Sequence, residues 1–357
     1  MNHADELSSY NALNLACLSN HELLKKSFQK SGSWVKAWRS FKNQNNNAAG
    51  TIDADTEWLK LEKFGIKLIL QSDPEFPGQL KEMPWSPLGI YFKGEPVSPA
   101  EKIIAIVGTR KATVAGLAIA KKFASGLASA GLTVASGLAL GIDAAAHASV
   151  VAIPARTIAV LANGLDEIYP KTNAGLGKKI LEVGGTLISE YPIGAPSLPQ
   201  RFIERNRIIS GLSAGVVIIE APENSGALAT ARFALDQNRE IFVVPGPIDN
   251  PNYFGAHGLI KAGANLITSI DDIFTVLGID KTNAGGPESM DRQKSLMLAK
   301  LDEPEKAIIL CLTAAGRPID IDTLAEKTKL ETKIANTTLS FLLIKGLIKE
   351  ENGKYYL

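Results

Sequence analysis

Four groups of residues in this chain combine types and spacings that could do chemistry. The first is Gly108-Thr109-Arg110, at the end of the apolar run Ile103-Ile104-Ala105-Ile106-Val107. A hydroxyl and a guanidinium beside turn amides suit a phosphate, on a nucleotide or on a nucleic-acid backbone. The same residues also suit a tight turn with a solvated arginine. The second is Arg201-Phe202-Ile203-Glu204-Arg205-Asn206-Arg207, where arginines fan around a helix start. They would either hold phosphate or form a surface face with an internal ion pair. Lys171, just after Tyr169-Pro170, could join the same patch. The third is Asp143 and His147, four apart on a helix, a catalytic pair or, more simply, a cap and a packed ring. The fourth is a set of hydroxyls, Ser136, Ser189 and Ser225, none of them in a Gly-x-Ser-x-Gly elbow.

The elements that must position these groups alternate. Apolar runs without polar alternation recur at 103–107, 131–137, 157–162, 186–190, 215–220 and 240–246, and each is followed by a stretch of helical periodicity. Such runs read as buried parallel strands, and strand–helix repeats of this size predict a Rossmann-like, doubly wound, mostly parallel α/β sheet. Ligands then gather beyond the carboxyl ends of the strands. Those ends are rich in small and polar residues, which makes Gly108, Thr109, Ser136, Gly137, Asn163, Gly164, Asn206, Ser225 and Gly226 candidate cleft lining. A dinucleotide site would show Gly-x-Gly-x-x-Gly at the first turn and an acid ending the second strand, and neither is present. The Walker pattern is absent as well.

Before the sheet, helical patches carry Trp34 and Trp38, whose spacing of four fits a helix–helix core better than base stacking. Residues 65–70 turn to strand character, and Pro74, Pro77, Pro84 and Pro87 keep the connection extended. After the sheet, 282–289 reads as a linker. Three helical segments and two short strands around Asn352-Gly353 follow, in winged-helix order. The third of those helices carries too little basic charge for routine duplex binding.

Bulk properties agree with a globular, multidomain chain. It has 357 residues, 45% hydrophobic and 21% charged, and a formal charge of +1, so any nucleic-acid site must be local. Cys17 and Cys311 lie far apart in apolar runs and read as free thiols, and the four histidines have no zinc-site spacing. No apolar run reaches the ~18 residues of a membrane span, and no signal core opens the chain, so a cytoplasmic location is expected.

Taken in order, the motifs resemble the DNA-processing protein A (Smf) family of natural transformation. They are Ile106-Val107-Gly108-Thr109-Arg110, the run from Ser136 to His147, Gly164-Leu165-Asp166 with Tyr169-Pro170, and Ser189-Glu190-Tyr191-Pro192. Arg205-Asn206-Arg207 through Ser213, Glu220-Ala221, Ser225-Gly226-Ala227-Leu228 and Val244-Pro245-Gly246 complete the series. Asp73 with Phe76-Pro77, and Phe92-Lys93-Gly94, extend the likeness toward the N-terminus. Ala162, Ile203, Ala227 and Asn238 stand where the family often has glycine, proline, serine and glycine.

The resemblance implies a non-enzymatic single-stranded DNA-binding protein without cofactor. Its implied partners are the RecA recombinase and a second copy joined through the Rossmann-like domain, with no membrane partner. Arg110, Lys171, Arg205 and Arg207, with Gly108 and Thr109, would then contact DNA phosphates. It also implies four regions: a helical (SAM-like) domain at 1–97, a Rossmann-like domain at 98–280, a linker at 281–296 and a winged-helix domain at 297–357. The alternative is a nucleotide-processing enzyme of phosphoribohydrolase type, with Glu223 beside Ser225-Gly226 at its phosphate loop.

Overall fold

The computed structural model describes residues 2–45, 51–153, 155–279, 301–315, 318–344, 347–351 and 353–356. The chain divides into two compact units, Met1–Ser289 and Met290–Leu357. The expected linker at 281–296 lies outside the described residues.

The first unit is built on a nine-stranded sheet. Its strands are β1 (Ile66–Leu70), β2 (Gly89–Gly94), β3 (Ile103–Val107), β4 (Thr133–Ser136), β5 (Thr157–Leu161), β6 (Thr186–Ser189), β7 (Gly215–Ile218), β8 (Glu240–Val243) and β9 (Asn265–Leu266). Their spatial order is β1-β2-β6-β5-β4-β3-β7-β8-β9. All neighbours from β6 to β9 pair in parallel.

The unbroken apolar run of β3 is explained by burial on both faces. Ile103, Ala105 and Val107 pack with Ile208, Ile209 and Leu212 of the helix Pro199–Leu212 and with Ala227, Ala231 and Ala234 of the helix Gly226–Asp236. Ile104 and Ile106 pack on the other side with Phe123 and Leu127 of the helix Val114–Ser129 and with Ala146 and Val150 of the helix Ile142–Ala152. Each fully buried isoleucine contributes on the order of 2 kcal/mol.

The chain winds outward from β3 to β6, then returns to the other side of β3 to build β7, β8 and β9. The direction of winding reverses between β3 and β7, and the crevice of such a sheet opens there, outside the strand carboxyl ends. The Gly108-Thr109-Arg110 turn and Glu220 sit at that point.

The boundary expected at residue 97 is not a boundary of the sheet. β1 and β2 form an antiparallel hairpin, and β2 pairs antiparallel with β6, matching Tyr91 to Ser189 and Gly94 to Thr186. The residues before 97 therefore supply two strands of the same sheet. The helices His3–Ala16, His21–Ser31, Trp34–Gln44 and Ala54–Lys63 pack over this end, and Trp34 and Trp38 lie in their shared core with Leu187 and Leu161. Proline spacing suggested a linker because extended backbone is common to both.

Asn238 has φ +55, the left-handed backbone that makes glycine frequent at such a position. Cys17 and Cys311 are free thiols. Among the described residues, no helix is long and apolar enough to cross a membrane.

The second unit contains the helices Glu303–Ala315, Ile321–Thr328 and Thr332–Ile344, and a three-stranded sheet made of Ile319–Asp320, Lys349–Glu351 and Lys354–Tyr356. Its core joins Ile308, Leu312, Leu324, Leu339 and Leu342.

Glu220 anchors the reversal point. Its fully buried carboxylate accepts from Thr113 N (2.9 Å), Thr113 Oγ1 (2.5 Å) and Asn252 Nδ2 (3.1 Å), and its carbonyl accepts from Thr109 N (2.8 Å). A Cβ on Gly116 would overlap this carboxylate, whereas one on Gly175 would meet nothing within 4 Å. Gly116→Ala should lower stability by about 1–3 kcal/mol through overpacking. Gly175→Ala should be neutral or stabilising by up to ~1 kcal/mol. Urea midpoints of the two variants check the contrast.

Candidate nucleic-acid interface

A cleft of about 540 Å³ opens at the reversal point. Val107, Gly108, Thr109 and Arg110 form one wall, Phe202, Arg205 and Asn206 a second, and Asn224, Ser225 and Gly226 a third, with Tyr169 at the mouth. Three loops and one helix thus converge because each follows a strand that ends at the same rim.

The turn after β3 is held tightly. A Cβ on Gly108 would lie 2.6 Å from Ile142 Cγ1 and 2.9 Å from the Glu220 carbonyl oxygen, so glycine is needed for close approach. The Thr109 N–H is used by Glu220, and Thr109 Oγ1 accepts from Lys111 N at 3.2 Å. This corrects the expectation of partnerless amides at that turn. The positive end of the helix Pro199–Leu212 faces the cleft, although Pro199 has no N–H and the Arg201 N–H donates to the Leu198 carbonyl at 3.0 Å. Its N-cap, Leu198, makes no side-chain cap, and Pro199 and Phe202 line the cleft. The helix Gly226–Asp236 also starts at the cleft, where Ser225 caps Ala227 N. Two helix starts facing one cleft favour an anion.

Arg110 is exposed, with its Cζ 4.9 Å from the Phe202 ring centroid. Phe202 also lies 6.0 Å from Arg205 Cζ, and its ring is 5.7 Å from that of Tyr169. Guanidiniums stacked on an aromatic keep their edge N–H groups available for phosphate. Burial pulls Arg205 down to about 10, with Asp143 opposing the shift, so it stays charged at neutral pH.

The expected phosphate contacts separate on inspection. Arg110 reaches the cleft. Arg205 borders it but is spent internally, donating to the Gly137 carbonyl at 2.8 Å and to the Val160 carbonyl. A Cβ on Gly137 would come within 2.5 Å of Arg205 Nη2. Arg207, 1% exposed, is not at the cleft; it forms an ion pair with Glu190. Its helical position, two residues after Arg205, turns it to another face. Lys171 is exposed outside the cleft and pairs with Glu167 at 3.1 Å.

Of the other candidates, Asn206, Ser225 and Gly226 line the cleft. Ser136 is buried and donates to the Ile106 carbonyl at 2.6 Å. Asn163 donates to the Gly164 and Glu167 carbonyls, and Gly164 packs against the Pro192 carbonyl. These three brace strand ends instead of facing ligand. Asn224, in the rim stretch 220–226, lines the cleft, and so does Tyr169, whose place there carried no sequence signal.

Asp143 and His147 bind different partners. The Asp143 carboxylate accepts from Gly137 N (3.1 Å) and Ala139 N (3.4 Å), while burial raises its pKa. Thr157 Oγ1 donates its proton to the Val134 carbonyl, so His147 Nδ1, 2.8 Å from the hydroxyl, donates to Thr157 Oγ1. Burial holds His147 down at about 3. The expected phosphate-loop acid of an enzyme, Glu223, is exposed and does not line the cleft.

An open α/β sheet with a crevice at its winding reversal, lined by arginine, aromatics and helix starts, defines a Rossmann-like protein whose cleft has the features that suit an anion. The family model described as DNA recombination-mediator protein A matches residues 67–278, and the chain belongs to that family. Protein Smf of Escherichia coli is 44% identical over 224 residues, which cover 62% of this chain and 59% of the relative. Protein Smf of Synechocystis is 34% identical, over 81% of this chain and 79% of its own length. DNA processing protein A of Streptococcus pneumoniae superposes with a TM-score of 0.63 at 29% identity, over 75% of this chain and 97% of the other. The Helicobacter pylori protein, studied for its single-stranded DNA binding mode, superposes with a TM-score of 0.53 at 28% identity, over 59% of this chain and 95% of the other.

Two outcomes follow from the buried charges. Removing Arg207 leaves Glu190 buried without its counter-ion, so Arg207→Ala should cost about 3–5 kcal/mol of stability, read by chemical denaturation. His147 is neutral when folded and takes up a proton only on unfolding below about 6.5. Its stabilisation is therefore full above that pH and is lost toward about pH 3. Stability should fall through this residue by ~1.4 kcal/mol per pH unit below 6.5. His147→Gln should flatten that slope between pH 6.5 and 5 in urea titrations.

Proposed function

We propose that this chain binds single-stranded DNA without sequence preference, non-catalytically, in the cleft at the β3/β7 reversal. In this reading it protects incoming DNA and helps load the RecA recombinase during natural transformation. The observation that carries the reading is Arg110 stacked on Phe202 where two helix starts face the same cavity. Phosphate is held by the Arg110 guanidinium at the positive end of the helix Pro199–Leu212, while Phe202 and Tyr169 offer ring faces to bases. Arg205 adds charge from behind, and Lys171, free to leave Glu167, extends the track outward. The single-stranded DNA named for the Helicobacter pylori relative is the ligand these features suit.

Recombinase loading and a homodimer through the Rossmann-like domain are proposed from the family. Residues 297–357 are proposed as a winged-helix module. The helix Thr332–Ile344 contains one basic residue, Lys333, which favours protein contacts over duplex binding. The phosphoribohydrolase-type alternative is weakened by the position of Glu223 and by the hydrogen bonds that occupy Asp143 and Glu220.

Arg110→Glu should keep the fold and weaken retention of a labelled single strand at least tenfold. The salt slope measured between ~50 and ~200 mM should drop by about one phosphate contact. Fluorescence anisotropy against single-stranded and duplex DNA is the test. Retention unchanged at low salt would overturn the reading, and base release from nucleoside monophosphates would favour the enzyme.

A further inference from the structure

A second cavity, of about 440 Å³, lies on the other flank of the helix Pro199–Leu212. Arg207 and Glu204 face it from that helix, Glu190 from the end of β6, Ser19 and His21 from the turn between the first two helices, and Trp85 from the proline-framed loop. Trp85 is 44% exposed, yet its ring is fixed. Arg207 Cζ lies 4.7 Å from its centroid, and the His21 ring meets it edge-on at 5.9 Å.

The backbone here is unusual. Leu18, Ser19 and Trp85 are three of the six non-glycine residues in the left-handed region among the described residues. Such strain persists where surrounding structure enforces it and concentrates at ligand sites.

The polar atoms of the wall are under-used. Arg207 Nε and Nη1, His21 Nδ1 and Ser19 Oγ are buried with no hydrogen-bond partner among the described residues. Native structures leave few such groups, and each calls for a partner. His21 Nε2 must donate to the Ser86 carbonyl, 2.9 Å away, which leaves Nδ1 as an acceptor in the neutral ring. A small rotation of Arg207 or His21 would turn these atoms into the cavity, as donors and an acceptor beside the Glu190 and Glu204 carboxylates. Arg207 and Lys25 stand against Glu22, Glu190 and Glu204, so the wall has no excess of positive charge for a phosphate.

A flat aromatic wall, mixed donors and acceptors, and no net positive charge suit a planar neutral ring bearing both kinds of group. We infer that this cavity is a second nucleobase site, with Trp85 as its stacking platform and with sugar and phosphate left outside near Lys25. The base can come from a strand continuing over the helix Pro199–Leu212, which rests on the DNA-binding reading above, or from a free mononucleotide, which does not.

The test uses the full chain with Trp85→Ala and Trp85→Phe, each checked for an unchanged thermal midpoint. The probes are a single-stranded oligonucleotide carrying 5-iododeoxyuridine and, separately, the four deoxynucleoside monophosphates. Stacking of one base predicts about a tenfold loss of strand affinity for the alanine variant, retention in the phenylalanine variant, an unchanged salt slope, and photocrosslinks at Trp85. Strand affinity unchanged but mononucleotide binding lost in Trp85→Ala assigns the base to a free nucleotide. Both unchanged, with no crosslink at Trp85, overturns the site, including the case where the surface serves a protein partner. Loss of strand binding in Arg110→Glu with Trp85 intact reads the cleft separately. If the wild type retains no strand, the functional reading fails while the mononucleotide arm still decides the cavity.

Discussion

The cleft depends on one buried carboxylate. Glu220 ends the strand beside β3, and through its side chain and carbonyl it ties together the turn at Thr109, the start of the helix Val114–Ser129 and Asn252. Each bond uses an acceptor lone pair that burial would otherwise leave costly. The hydroxyl of Tyr253 also bonds this carboxylate, and burial, then Glu220, pushes its pKa up to about 12. Because these partners come from separate loops, the carboxylate fixes the turn that carries Arg110. Arg110 can then remain exposed, with no ion pair to a carboxylate among the described residues, because the turn beneath it needs nothing from its side chain.

A second set of constraints holds the opposite wall. Arg205 is bonded to carbonyls at two strand ends, and Arg207 to Glu190 at a third, so the helix carrying Phe202 is pinned on two faces. The Arg-Asn-Arg motif thus divides its labour: the arginines brace the helix, and the asparagine between them faces the cleft. Removal of either arginine would loosen the helix that positions Phe202.

Much of this was legible in the residues. The unalternating run at Ile103–Val107 announced a strand buried on both faces, and six such runs with intervening helices announced the sheet. Gly108, Arg110 and Ser225 fell at one rim because strand ends in such a sheet share a side, and Asn206 reaches it from the helix Pro199–Leu212. The fate of Arg207 was not legible. Its partner Glu190 is 17 positions away in another element, and only the rotation of the helix decides whether a charge meets solvent or a carboxylate. The hairpin of β1 and β2 was equally hidden, since antiparallel pairing to β6 bridges almost 100 residues and local pattern says nothing about which edge a strand will join. Trp85, between Pro84 and Pro87, sits in a loop where sequence pattern carries no signal. Its ring acquires meaning only from the arginine beneath it.

That hairpin has a consequence for how the molecule can be divided. β6 would otherwise be an open edge of a parallel sheet, with a row of unsatisfied amides and carbonyls ready to pair with another chain. β2 satisfies them, and the helices packed above shelter Leu187 and Leu161 from water. The N-terminal hundred residues therefore act as the sheet's selvedge, the woven border that keeps a cloth from fraying. A chain cut after Val97 would keep every cleft residue and leave the β6 edge bare.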